Sequence, residues 1–223
     1  MPNQVIFELM KWGHTGKRLK SISVLDFAVF LMFAVVFSAS LLLLNFFPQF
    51  QPSLMSSSQN ILGIFTSPFV HKDYLHLLAN AVFALLAFIF YFITRLISSA
   101  KSNDKFLIVA IWFSAILANL IYVFISPTQN SGGSSGLVSA FYGGVITFTF
   151  TDALTEHVSN LKKLSFTLSG VFLLAAFVVM NINTSSDTNV IVHLTSFSIS
   201  VFLVLLYSLW VLRRVRSSLV VNL

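Results

Sequence analysis

Residues 27–44 read FAVFLMFAVVFSASLLLL, an eighteen-residue run without a charged side chain. A helix of about 20 mainly apolar residues can cross the hydrocarbon core of a bilayer, so this run predicts a membrane-spanning helix. The composition of the 223-residue chain agrees: 57% of the residues are hydrophobic, 9% are charged, and the mean hydropathy is +0.89. Soluble domains are about a quarter charged. The composition therefore excludes an ordinary soluble globule and indicates a lipid bilayer as the partner of the outer surface.

Along the rest of the chain, similar apolar runs predict an all-α, polytopic membrane protein built as a bundle of six transmembrane helices. The fourth and fifth predicted spans are the weakest, because the fourth is rich in Gly, Ser and Thr and the fifth is short. The six predicted spans cover residues 24–47, 74–97, 106–125, 133–151, 164–180 and 189–212.

The basic residues divide unequally between the two sides that six spans define. Of 13 Lys and Arg residues, 12 fall on the side of the termini and only Lys72 falls on the other. Because basic loops stay inside, we expect a cytoplasmic N-terminal tail at 1–23, a six-span domain at 24–212 and a basic cytoplasmic C-terminal tail at 213–223. Membrane orientation thus explains the net charge of +6 without nucleic acid, and we expect the plasma membrane as the location.

The first connection, residues 48–73, is long and lies on the outer side in this arrangement. It carries two prolines and a polar run at 56–60. Residues 61–65 are apolar and could insert partly into the bilayer, and an ordinary surface loop is the equal alternative.

Polar side chains interrupt the second, fourth and sixth spans at a similar depth. His76 and Asn80 lie near the start of the second span, Ser135 near the start of the fourth, and His193 about four residues into the sixth. All three spans enter from the outer side, so a rise of about 1.5 Å per residue brings these groups to one shallow level. Ionisable groups within spans are candidates for function.

The chemistry of these residues favours a serine nucleophile. The stretch SGGSSG at 131–136 opens a helix, whose free N–H groups suit a reaction that develops an oxyanion. A serine hydroxyl needs a base, and His193 is the histidine at the right depth on another span. No carboxylate is well placed to orient it, since Asp187 lies in a loop, so we favour a Ser135–His193 dyad over a triad.

Further residues could support this chemistry. His76 and Asn80 lie four residues apart on one helix face, and with the backbone N–H of Ser135 they could form an oxyanion hole. Small residues permit close contact between spans. The residues of this kind are Gly136, Ala140, Gly143 and Gly144 on the fourth span, and Ser196 and Ser200 on the sixth.

Each of these residues also has a purely structural explanation. A membrane serine usually bonds to its own helix, a histidine often links two helices, and glycines allow close packing. The shared depth of the cluster favours the functional interpretation.

Three motifs together resemble the rhomboid family of intramembrane serine proteases. They are GSSG at 133–136 for the family's GxSG, HKDYLHLLAN at 71–80 in the second span, and HLTSFSIS at 193–200 in the sixth. GxSG alone is weakly specific, but three motifs in the right order are more so. The resemblance covers the six-span core.

The resemblance implies Ser135 as nucleophile, His193 as general base, and His76, Asn80 and the Ser135 amide as oxyanion stabilisers. It places His71 at a position that shapes the water-accessible cavity. It also implies cleavage of single-span membrane proteins near the outer face, with no metal and no cofactor.

The sequence departs from the family pattern at several positions. Ser139 stands where many members carry an aromatic residue that packs on the histidine. Ser196 and Ser200 replace a common glycine pair, and the first outer loop lacks the frequent Trp-Arg pair.

Three other functions compete with a protease. A catalytically inactive rhomboid-like protein would bind or escort membrane clients, but it usually lacks the serine or the histidine. A transporter or channel would place ionisable groups nearer the midplane. A zinc enzyme built on His71, His76 and His193 lacks an HExxH motif, and the absence of cysteine removes thiolate ligands.

Overall fold

The computed structural model describes residues 24–97, 104–126, 129–155, 160–182 and 190–220. Within these ranges the chain is helical, and one isolated antiparallel bridge joins Ser56 and Ser131. The predicted N-terminal tail and Asp187 lie outside the described residues. The described residues contain six long helices, which in chain order are α1 (Val24–Phe46), α2 (Tyr74–Ile97), α3 (Asp104–Ile125), α4 (Ser135–Thr155), α5 (Asn160–Ile182) and α6 (Val190–Val220).

The helices fit an integral, multi-pass membrane protein. Across the described residues, α1, α2, α3, α5 and α6 each contain a segment long and apolar enough to cross a membrane, and α4 contributes a shorter apolar stretch, Ser135–Thr151. The predicted all-α membrane fold is therefore confirmed with five candidate spans. A sixth crossing by α4, and the side on which the termini lie, stay predictions.

Local chemistry sets several helix boundaries. The carboxylate of Asp73 accepts a 2.7 Å hydrogen bond from the backbone N–H of His76, which caps the first turn of α2. The fourth helix begins at Ser135, two residues later than predicted, because Gly133 has a φ of +116° that cannot continue into a helix. The fifth helix is longer than the predicted 164–180, and the sixth runs on to Val220.

Helix α4 lies at the centre of the bundle. It packs against α2, α3, α5 and α6, most extensively against α6. Every residue from 133 to 149 is buried, whereas the other long helices expose large apolar side chains such as Leu31 and Leu75. A helix enclosed by protein does not need a lipid-compatible surface, which explains why α4 is both shorter in apolar length and rich in small polar residues.

The first connection folds back on the segment that precedes α4. Two backbone hydrogen bonds of 2.9 and 3.0 Å join Ser56 to Ser131, and the N–H of Gly133 donates to the carbonyl of Ser67 at 2.8 Å. The side-chain amide of Asn60 donates to the carbonyls of Ser53 and Met55, which closes a turn within the connection. The connection thus fixes the entrance to α4.

The connection contains four short helical segments, at Pro48–Phe50, Gln51–Leu54, Gly63–Thr66 and Ser67–Phe69. In the 61–65 stretch, Ile61, Leu62 and Phe65 are exposed and Ile64 is buried. Partial insertion of this stretch into the bilayer stays a prediction.

Candidate active site

The serine expected to react occupies the first position of α4. The carbonyl of Ser134 accepts the 3.0 Å hydrogen bond from Val138 that begins the helix. Ser135 is 6% exposed, so the residue is buried but keeps a small accessible area. The first N–H groups of a helix have no partner within it, so Ser135 stands beside donors suited to a developing negative charge.

His76 lies on the same side of this turn as Ser135. A Cβ atom placed on Gly133 would lie 3.4 Å from Nε2 of His76 and 3.6 Å from Oγ of Ser135. The missing side chain at Gly133 therefore keeps a small space between the imidazole and the hydroxyl. The structure brings these two predicted site residues together.

The helix that carries His193 contacts α4 next to Ser135. A Cβ atom on Gly136 would lie 3.2 Å from Cγ1 of Val192 and 3.3 Å from Oγ of Ser196. Gly136 adjoins Ser135 in sequence, and Val192 adjoins His193. The start of α4 and the start of α6 are thus in close contact at the level of both residues.

His193 is 2% exposed and uses one of its ring nitrogens. Its Nδ1 atom lies 3.1 Å from Oδ1 of Asn181 at the end of α5. Its Nε2 atom is buried without a hydrogen-bond partner among the described residues. Sequence reasoning missed Asn181, because the fifth span was predicted to end one residue before it. An amide at a helix end, at the same depth as the other polar residues, was the available signal.

His71 and Asn80 form a second polar cluster with Ser134. Nε2 of His71 lies 3.0 Å from the hydroxyl and 3.2 Å from the backbone N–H of Ser134, and the Asn80 amide nitrogen lies 3.3 Å from the same atom. Since amide groups only donate through nitrogen, Nε2 of His71 is an acceptor. Sequence reasoning did not assign Ser134 this role, because the contact spans 63 positions in the chain.

His71 precedes α2 and lies outside the predicted spans. Burial lowers its pKa from 6.5 to about 3, and repulsion from His76 acts in the same direction. The ring is therefore neutral at physiological pH. It contacts the hydroxyl of Ser134 and the amide of Asn80, and Ser134 adjoins Ser135 in sequence.

The remaining predicted packing residues lie along the α4–α6 contact. A Cβ atom on Gly143 would lie 2.5 Å from the carbonyl oxygen of Phe197, and one on Gly144 would lie 3.3 Å from Oγ of Ser200. The hydroxyls of Ser196 and Ser200, and that of Ser139, are buried without a partner among the described residues.

In the part of the chain that the structure describes, no group of three His, Cys, Asp or Glu side chains is arranged to hold a metal ion.

The central helix α4 begins with a buried serine and is enclosed by apolar helices, one of which carries a buried histidine. These features define an integral membrane protein with a polar site of serine and histidine residues. A family model of the Rhomboid domain matches residues 58–210, more than half of the chain. The chain therefore belongs to the rhomboid family. This family includes serine intramembrane proteases that act on transmembrane substrates, and it also has inactive members. Searches of curated proteins and of solved structures gave no match.

Proposed function

We propose that this chain is a serine endopeptidase that cleaves single-span membrane proteins near the extracytoplasmic face of the bilayer. Ser135 is the nucleophile and His193 is the general base. The observation that carries the proposal is the state of the His193 ring. Its Nδ1 is engaged by Asn181, and its Nε2 is buried without a partner among the described residues, on a helix packed against the first turn of α4.

The reaction begins with proton transfer from the hydroxyl of Ser135 to Nε2 of His193. The serine oxygen bonds to the carbonyl carbon of the scissile peptide and forms a tetrahedral intermediate. Its collapse breaks the C–N bond, and His193 returns the proton to the departing amine. Water then attacks the acyl ester with the same histidine as base, which releases the second product and restores Ser135.

The oxyanion of the intermediate receives hydrogen bonds from His76, Asn80 and the backbone N–H of Ser135. The space at Gly133 between His76 and Ser135 supports this assignment. The Asn80 amide nitrogen carries two hydrogens, so one contact with His71 leaves the other for the oxyanion. His71 supports the cavity through this contact and through Ser134.

The pair formed by His71 and Ser134 is a competing nucleophile and base, because its 3.0 Å separation fits such a role. Two observations favour Ser135 instead. Nε2 of His71 already faces three donor groups, and the hydroxyl of Ser134 belongs to a residue with no exposed surface. The pair is therefore assigned a structural role.

The proposed topology has six spans, with both termini in the cytoplasm of a cell and the protein in the plasma membrane. The enclosure of α4 by four other helices supports a sixth crossing, because lipid contact does not limit its composition. The distribution of 12 of 13 basic residues on one side supports the orientation. The reaction needs no metal, cofactor or nucleic acid, and its partners are membrane protein substrates and lipid.

Cleavage of a model single-span substrate in proteoliposomes tests the proposal. We expect activity in the unmodified chain and in Ser134→Ala, and none in Ser135→Ala or His193→Ala. Each of these two serine variants loses one hydroxyl, and the two residues are neighbours in sequence, so each variant is a control for the other. Full activity of Ser135→Ala would end the proposal, and client binding without any cleavage would favour an inactive rhomboid-like protein.

A further inference from the structure

The amide of Asn181 has a fixed orientation. Its nitrogen donates a 2.8 Å hydrogen bond to the carbonyl of Phe177, one turn earlier in α5. A carbonyl oxygen only accepts, so the nitrogen must point toward Phe177. The Oδ1 atom is then the one that faces His193 at 3.1 Å.

This orientation determines the tautomer of His193. Oδ1 of Asn181 has no hydrogen to give, so Nδ1 of His193 must carry the proton. In the neutral ring, Nε2 is then the unprotonated atom, as a general base requires. The opposite tautomer would place two lone pairs against each other and would leave no acceptor for the proton of Ser135.

A second contact holds the end of α5 on α6 at this place. The rings of Phe177 and Phe197 stack with centroids 4.2 Å apart and an angle of 18° between their planes. Phe177 lies one turn before Asn181, and Phe197 lies one turn after His193. The hydrogen bond and the stacked rings thus fix the register of the two helices over one turn.

We propose that Asn181 is a positioning residue that holds His193 as the Nδ1–H tautomer, through the hydrogen bond between the end of α5 and the start of α6. This proposal rests on the proposed function, because it assigns the orienting group of the same base. It replaces the expected two-residue dyad by three residues on three helices. It also means that His193 can act as a general base only while α5 is packed against α6.

The test compares Asn181→Leu, which loses the acceptor, with Asn181→Asp, which keeps one. Asn45→Leu is a matched control. The Asn45 amide also donates at 2.8 Å to a carbonyl one turn earlier, and its oxygen also accepts from a neighbouring helix, from the hydroxyl of Tyr74. The two asparagines differ in that Asn45 faces no histidine in these contacts, and in that Asn45 is exposed whereas Asn181 is half-buried.

We expect Asn181→Leu to lower kcat by about 10- to 100-fold, the equivalent of one buried hydrogen bond, with little change in KM. Asn181→Asp should retain more activity than Asn181→Leu, and Asn45→Leu should keep the kcat of the unmodified chain. Unchanged kcat in Asn181→Leu, beside an inactive Ser135→Ala, would overturn the positioning role and leave the proposed function standing.

A second readout does not depend on activity. Nitrogen-15 NMR of the histidine-labelled protein in detergent distinguishes the two tautomers, and the His193→Gln variant assigns the signals. We expect His193 to be the Nδ1–H form in the unmodified chain and in Asn45→Leu, and to gain the Nε2–H form in Asn181→Leu. An Nε2–H ring in the unmodified chain would refute the inference even if the protein is an active protease.

Discussion

Replacing Gly143 by alanine tests whether close contact between α4 and α6 is needed for the site. The added Cβ atom would lie 2.5 Å from the backbone carbonyl oxygen of Phe197, whereas ordinary contact begins near 3.4 Å. Since a backbone atom cannot rotate away, the helices must separate locally by up to about 0.9 Å, the difference between these two distances. Overpacking of this kind costs about 1–3 kcal/mol.

The neighbouring substitution, Gly144→Ala, is the control. Its Cβ atom would also meet an atom at 2.5 Å, but that atom is the terminal Cδ1 of Leu107, which can move by side-chain rotation. Both variants gain the same helix preference of alanine over glycine, about 1 kcal/mol, so this gain cancels in the comparison. The difference between the variants isolates the backbone clash.

Ser135 lies eight residues, or about 12 Å, before Gly143 along α4. A misplacement of 1 Å costs about 100-fold in rate, so we expect Gly143→Ala to lose between about 10- and 100-fold in kcat relative to Gly144→Ala. Its Tm in detergent should be lower by about 2–10 °C. Equal rates and equal Tm values in the two variants would refute the argument that this contact positions the site.

Three further substitutions or conditions give separate tests. The pKa of His71 is about 3 in the folded protein against an ordinary 6.5, so the unfolded chain binds a proton more readily than the folded one. The free energy of unfolding should therefore be unaffected by this residue above pH 6.5. Below that pH it should fall by about 1.4 kcal/mol per pH unit as the pH drops toward 3. The fall in Tm should be smaller in His71→Gln, and an identical pH dependence would contradict the assignment. Gly133→Ala should lower both Tm and cleavage rate, because φ is +116° and the new atom would contact His76; unchanged cleavage would show that this geometry is dispensable. Asn119→Leu removes the acceptor 3.0 Å from the hydroxyl of Ser131, so the free energy of unfolding should fall by about 1–3 kcal/mol. A fall below about 0.5 kcal/mol would contradict a stabilising role for this hydrogen bond.

The helices were largely predictable because lipid imposes a simple length and polarity rule. The predicted second span, 74–97, matches α2 at both ends, where Asp73 caps the start and Arg95 lies in the last turn. The start of α4 was less predictable. Its delay to Ser135 depends on the backbone conformation of Gly133, and that conformation is fixed by a hydrogen bond to Ser67 in a distant loop.

The expected site rests on the depth of its residues along the helices. Counting residues from the helix ends placed Ser135, His76 and His193 at one level, and the structure gives contacts that place their helices side by side. The roles proposed for them stay predictions. The partners of the histidines were not predictable, because the contact between Asn181 and His193 depends on how α5 and α6 are rotated against each other.

The central claim is that the hydroxyl of Ser135, activated by His193, forms a covalent bond to the substrate carbonyl. The most direct measurement treats the protein in proteoliposomes with a fluorophosphonate probe and locates the adduct by peptide mass spectrometry. The account predicts an adduct on Ser135 that is also formed in Ser134→Ala and is lost in His193→Ala. An adduct on Ser134, or labelling of Ser135 that persists undiminished without His193, would contradict it.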